Sequence, residues 1–109
     1  MNLVDTLIGQ SLSGVVFVMD YIQFQLDGAI ITFSANPSVI ADERRLEFGD
    51  RDYRNALCEL IGTVVSAISA DPSGTIVVKF GARRIEAKRA DDSPETAVIS
   101  FADGKIIVV

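Results

Sequence analysis

The sequence predicts a single domain of the α+β class over residues 1–109, built from two pseudo-repeats, 1–48 and 49–109. Each reads as a short helix followed by an antiparallel β-meander of about five strands. Together they are expected to form a strongly curved or barrel-like sheet with two helices packed on it. Three observations carry this reading. Leu7-Ile8-Gly9 followed by Ser13 recurs as Leu60-Ile61-Gly62 followed by Ser66, at a constant offset of 53. After one inserted residue, Ile22, Phe24, Leu26 and Ile31 match Ile76, Val78, Phe80 and Ile85 at an offset of 54. Both sets recur at the period of two that a half-buried strand requires, with Gln23 and Gln25 facing outward in the first copy and Val77 and Lys79 in the second.

The first helix is short: Asn2 is placed to cap it, Leu3, Val4, Leu7 and Ile8 form its apolar stripe, and Gly9 ends it. The second spans Arg51–Ile61, with Asp50 as its expected N-cap and Gly62 at its left-handed end. Its stripe is Tyr53, Ala56, Leu57, Leu60 and Ile61, at helical spacing. Leu-Ile-Gly therefore reads as a helix ending that sends two side chains into the core. Strands follow. Ile22–Leu26 alternates, Asp27-Gly28 is a hairpin turn, and Ile30–Phe33 returns from it. In the second copy Thr75–Phe80 and Arg84–Lys88 flank Gly81-Ala82. A last hairpin ends each copy, Val39-Ile40 to Leu46–Phe48 and Val98–Phe101 to Lys105–Val109. Val15–Met19 and Ile106–Val109 are apolar on both faces, which expects them between layers or in an interface.

Hydrophobic residues are 49% of the chain and charged residues 23%, enough apolar side chains for a packed core. The single cysteine, Cys58, has no internal partner for a disulfide, and it sits at the edge of the second helix's stripe. The first residues lack the basic segment of a signal peptide, and no apolar run approaches the ~20 residues of a membrane span. The expectation is a cytoplasmic protein that engages no membrane. A net charge of −5 also argues against nucleic acid as a partner. The charges are unevenly placed. Residues 1–41 hold Asp5, Asp20 and Asp27 but no Lys, Arg or Glu, and every basic residue lies from Arg44 onward.

Phe48-Gly49-Asp50 and the run Tyr53-Arg54-Asn55-Ala56-Leu57-Cys58-Glu59-Leu60-Ile61-Gly62, with Leu7-Ile8-Gly9 and Asp20-Tyr21, resemble a family of small uncharacterised bacterial proteins. The likeness spans most of the chain. It implies a bacterial cytoplasmic protein and carries no established activity, so it supplies no functional residues.

Chemistry is read largely by exclusion. The chain has no histidine, which removes Ser-His-Asp and Cys-His catalysis and most zinc sites. It has no Cys-x-x-Cys, Gly-x-Gly-x-x-Gly or Walker loop. No catalytic residue, metal ligand or cofactor is assigned, and an enzyme is not expected. Asp71-Pro72-Ser73-Gly74 reads as a β-turn, Asp91, Asp92 and Glu95 as a solvated loop, and Arg83, Arg84, Lys88 and Arg89 as a salt-bridged face. The candidate contacts for a ligand or partner are Asp20, Tyr21, Gln23, Gln25, Asp50, Tyr53 and Arg54. Gln23 and Gln25 face outward from a strand next to apolar Val15–Met19, a composition suited to association. The leading expectation is a non-catalytic protein-interaction module forming a homodimer through the charge-poor first repeat. Alternatives are a small-ligand binder with a cleft between the halves, and an acidic immunity- or antitoxin-like inhibitor of a basic protein.

Overall fold

Residues 3–109 are described by a computed structural model. The first half supplies a 3₁₀ helix, Leu3–Leu7, and strands β1 (Leu12–Val18), β2 (Tyr21–Leu26), β3 (Ala29–Phe33), β4 (Ser38–Ala41) and β5 (Arg44–Leu46). The second supplies helix α1 (Tyr53–Cys58), then β6 (Ala67–Ala70), β7 (Thr75–Phe80), β8 (Arg83–Lys88), β9 (Ala97–Phe101) and β10 (Ile106–Val108). Two antiparallel sheets result, ordered β1-β2-β3-β9-β10 and β5-β4-β8-β7-β6. Each half thus keeps its three-stranded meander in one sheet and sends its last hairpin into the other.

This corrects the predicted fold class. Among the described residues the chain is mostly β, 48% strand and 10% helical, with no closed barrel and no pair of helices packed on one sheet. The helical segments are too short to make a layer. The barrel fails to close because the chain leaves its own sheet after β3 and after β8, leaving β1, β10, β5 and β6 as free edges. Asn2, the expected first cap, lies outside the described residues. Asp50 does not cap α1: Asp52 holds that position without a side-chain cap bond, and the Asp50 carboxylate accepts the Glu47 N–H at 2.7 Å instead. Strand β6, Ala-Ile-Ser-Ala, has too little alternation to announce itself in the sequence.

The two halves meet at the segments following Gly9 and Gly62. The Gly9 N–H donates to the Val65 carbonyl at 2.8 Å, and the Gly62 N–H to the Leu12 carbonyl at 2.8 Å. The Leu12 N–H donates to Thr63 at 2.9 Å, and the Val65 N–H to Gln10 at 3.0 Å. These four bonds form two pairs related by the offset of 53, and Ser11 and Val64, at that same offset, bridge each other. The repeat therefore marks a pseudo-twofold axis through the Ser11–Val64 pair. Both glycines have the positive φ that ends the helical turn and redirects the chain into this crossing, +93° for Gly9 and +91° for Gly62. The repeated serines close the motif. The Ser13 hydroxyl donates to the Gln25 carbonyl at 3.0 Å, and that of Ser66 to Lys79 at 3.2 Å.

Leu7 and Leu60 are fully buried, but Ile8 and Ile61 are 47% and 44% exposed. The expectation that both apolar residues of Leu-Ile-Gly enter the core is corrected. The last turn is tightened by Ile8 N–H to Asp5 and Ile61 N–H to Cys58 bonds, both 3.1 Å, which rotate the isoleucines outward. Cys58, expected at the stripe's edge, is exposed. Between the sheets lies one core, in which Phe24 meets Phe33 edge-on at 5.2 Å and reaches across to Phe80 at 6.3 Å. Val15–Met19 and Ile106–Val109 do not lie between layers. They fall on edge strands, with Val15, Phe17, Ile107 and Val109 turned to the core.

The halves of the Leu-Ile pair should differ sharply in their response to truncation. Leu60→Ala is expected to cost ~2–5 kcal/mol in urea denaturation and Ile61→Ala within about 0.5 kcal/mol. Equal costs would contradict the outward isoleucine.

Candidate interaction surface

Pairing registers place the outward side chains of the first sheet in rows. One row runs Val16, Gln23, Thr32, Val98, Val108; the next runs Gly14, Gln25, Ile30, Ser100, Ile106. Val18 and Tyr21 pair beyond them. None of the five strands carries a charged residue. The face is partly polar: Gln23 Nε2 donates to Thr32 Oγ1 at 3.2 Å, and the Gln25 side chain lies over Gly14, where an added Cβ would come within 3.0 Å of its Oε1. Exposed aliphatic side chains stud it, from Val18 and Ile30 to Ile106 and Val108.

The second sheet is its electrostatic opposite. Its strands carry Arg44, Arg45, Lys79, Arg83, Arg84, Glu86 and Lys88. Arg45 bridges Glu47 at 2.8 Å and Glu86 at 3.0 Å, and Arg84 bridges Glu86 at 3.1 Å. Buried Ser38 donates its hydroxyl to Glu47 at 2.5 Å. That bond, with Arg45, holds the Glu47 carboxyl below its ordinary range, while Arg84 and then Arg45 do the same for Glu86. Arg45 and Arg84 are thereby held by the carboxylates between them.

The seven sequence candidates divide between two places. Tyr21, Gln23 and Gln25 lie on the outer face of the first sheet, and Asp20 in the turn before β2. Asp50, Tyr53 and Arg54 come together in a cleft of about 210 Å³ with Phe48, Gly49 and Arg51. The alternation of β2 turns Tyr21 away from Ile22, so the two tyrosines do not share a pocket. Tyr53 is 1% exposed, and its hydroxyl donates to the Pro37 carbonyl at 2.5 Å, so it ties α1 to the loop before β4. Burial, and secondarily the Glu47 charge, push its phenol well above the ordinary value. Arg54 lies over the Phe17 ring at 5.8 Å and has no carboxylate partner among the described residues. Beside it a second groove of about 290 Å³ is lined by Phe17, Val18, Met19, Ile22 and Phe48.

Met19, 93% exposed, and the outward Ile106 and Val108 lie in the two runs read as apolar on both faces, whereas sequence reasoning missed the outward Ile30 of β3 and Phe48, 58% exposed. A large apolar residue beside a turn signal, Phe48 before Gly49, is the trace that could have marked the last of these. Asp71 does form a turn, its carboxylate accepting the Ser73 N–H at 2.9 Å and the Thr75 N–H at 3.2 Å. No cluster of three or more potential metal ligands occurs among the described residues. No helix among them is long and apolar enough to cross a membrane. No family model matches the chain, and no curated protein or solved structure matches it significantly.

Tyr53→Phe leaves the buried Pro37 carbonyl without its donor and is expected to cost ~1–3 kcal/mol. Because the folded phenol titrates above the unfolded one, its contribution is complete below pH ~10 and is lost as pH rises beyond it. Denaturation midpoints measured across that alkaline range should fall less steeply in Tyr53→Phe than in the parent chain.

Proposed function

We propose that this chain is a non-catalytic protein-interaction module that self-associates through its charge-free sheet. The observation that carries the reading is the segregation of charge by sheet: β1, β2, β3, β9 and β10 hold no Asp, Glu, Lys or Arg in a chain of net charge −5. Two acidic copies repel at long range, and a charge-free sheet is where they approach without meeting like charges. A partly polar surface of glutamine, threonine and serine with interspersed aliphatics has the composition of a reversible interface, about as apolar as ordinary protein surface. The surface also extends beyond the charge-poor first repeat, because β9 and β10 come from the second half.

Salt separates this reading from its rivals. Multi-angle light scattering over a micromolar concentration series should show a dimer whose affinity is unchanged or strengthened as salt rises, since screening removes repulsion and breaks no interfacial ion pair. A monomeric mass at every concentration, or a dimer that dissociates on adding salt, would refute it. The second outcome would point to the Arg/Glu face of the other sheet.

A further inference from the structure

The pseudo-twofold axis makes β5 and β10 equivalent edges. In one sheet Ile40 pairs with Arg45 and Val39 with Leu46, while Ser38 bonds Glu47. In the other Ser100 pairs with Ile106, Ile99 with Ile107, and Val98 with Val108. Leu46 therefore corresponds to Ile107, and both pack against the core. Arg45 corresponds to Ile106 and Glu47 to Val108. The outward positions of one edge hold a salt bridge of 2.8 Å that also reaches Glu86. The same positions on the other edge hold two bare aliphatics, 63% and 60% exposed.

Charges on an edge strand are the usual defence against pairing with another chain. Here the defence is present on one copy of the edge and absent from the other. The remaining edges differ in their surroundings: β1 has a register break between Leu12 and Gly14 and contacts α1, and β6 contacts the 3₁₀ helix. On β10 the backbone is also presented. The Phe101 N–H donates to Lys105 at 2.9 Å, the Val109 N–H to Ala97 at 2.9 Å, and the Thr96 N–H to Val109 at 2.7 Å. Residues 105 and 109 thus bond toward β9, and the alternation of an antiparallel ladder turns the N–H and C=O of Ile106 and Val108 to the free edge.

We infer that β10 is the dimer seam: it pairs antiparallel with β10 of a second copy about a twofold axis at Ile107, joining two five-stranded sheets into one of ten. Ile106 exchanges both backbone bonds with the second copy's Val108, and Val108 with its Ile106. The side chains of each such pair stand together on the outer face, as cross-strand aliphatic pairs do. The strand is isologous and uncharged, so the approach sets no like charges opposite each other. This mode rests on the self-association reading above and specifies which part of the sheet makes the contact.

Two edge variants and one face variant test it. Val108→Pro removes an outward N–H that the β9 ladder does not use, and the double variant Ile106→Glu/Val108→Glu sets a charged pair of like sign opposite each other across the seam. Each is expected to weaken dimerisation at least ~100-fold in sedimentation equilibrium, with far-UV circular dichroism unchanged. Thr32→Lys, in the middle of the outer face, should leave the dimer intact. If Val108→Pro perturbs the fold, the charged pair alone decides. A dimer that survives the charged pair but is lost in Thr32→Lys would overturn the seam while sparing self-association through the sheet. A parent chain that is monomeric throughout would overturn both.

Discussion

Four backbone hydrogen bonds at the crossing of residues 9–12 with 62–65 organise everything else in the molecule. Each contributes only ~1 kcal/mol in net terms. Their role is chiefly positional. They set the two helical turns back to back, bury Leu7 and Leu60 on either side of the axis, and start β1 and β6 in opposite sheets. From that start each meander runs outward, and its final hairpin docks beside the other half's third strand. The core is shared because neither half has a complete sheet of its own.

With the backbone nearly duplicated, the two halves differ where they meet solvent. Equivalent outward positions hold Gln23 and Val77, Ile30 and Arg84, Ile106 and Arg45. Inward positions differ mainly in size, as in Phe24 against Val78 and Phe33 against Ala87, so the single core fills without symmetry. The result is one sheet whose outer face carries an ion-pair network and another whose outer face carries none. Exchange of the last hairpins sharpens this division. The uncharged β9 and β10 are added to the uncharged meander, and Arg44 and Arg45 join the strands that already hold Arg83, Arg84 and Lys88.

Much of this was legible in local pattern, and the failures have physical causes. Alternation located Ile22–Leu26 and Thr75–Phe80 because each strand has one face in the core and one in solvent. Leu-Ile-Gly was legible as a helix ending. Its isoleucines were misplaced because α-helical spacing was extended through a turn that is tighter than α. The exchange of hairpins leaves no mark on the sequence, since β3–β9 and β4–β8 pairing depends on partners more than 40 residues away. Of the candidate site, composition exposed the charge-poor stretch 1–41 and the outward Gln23 and Gln25. It gave no notice that Tyr53 is committed to Pro37, or that Ile106 and Val108 extend the same uncharged surface. Those depend on tertiary neighbours.

Interleaving also governs how the chain reaches its structure. The contacts that complete each sheet join segments far apart in sequence, so long loops must close before any of that burial is gained. Such a chain belongs with β proteins that fold in milliseconds to seconds and not with fast local folders. Until β9 finds β3, the apolar β10 hairpin has no sheet to join, and the nascent molecule exposes its stickiest strand for the whole of that search. A duplicated sequence adds a competing error, the docking of each hairpin on its own meander. Arg45 carried to the edge beside β3 would meet Thr32 where Glu86 stands in its proper place, and that docking forfeits the ion pair of 3.0 Å.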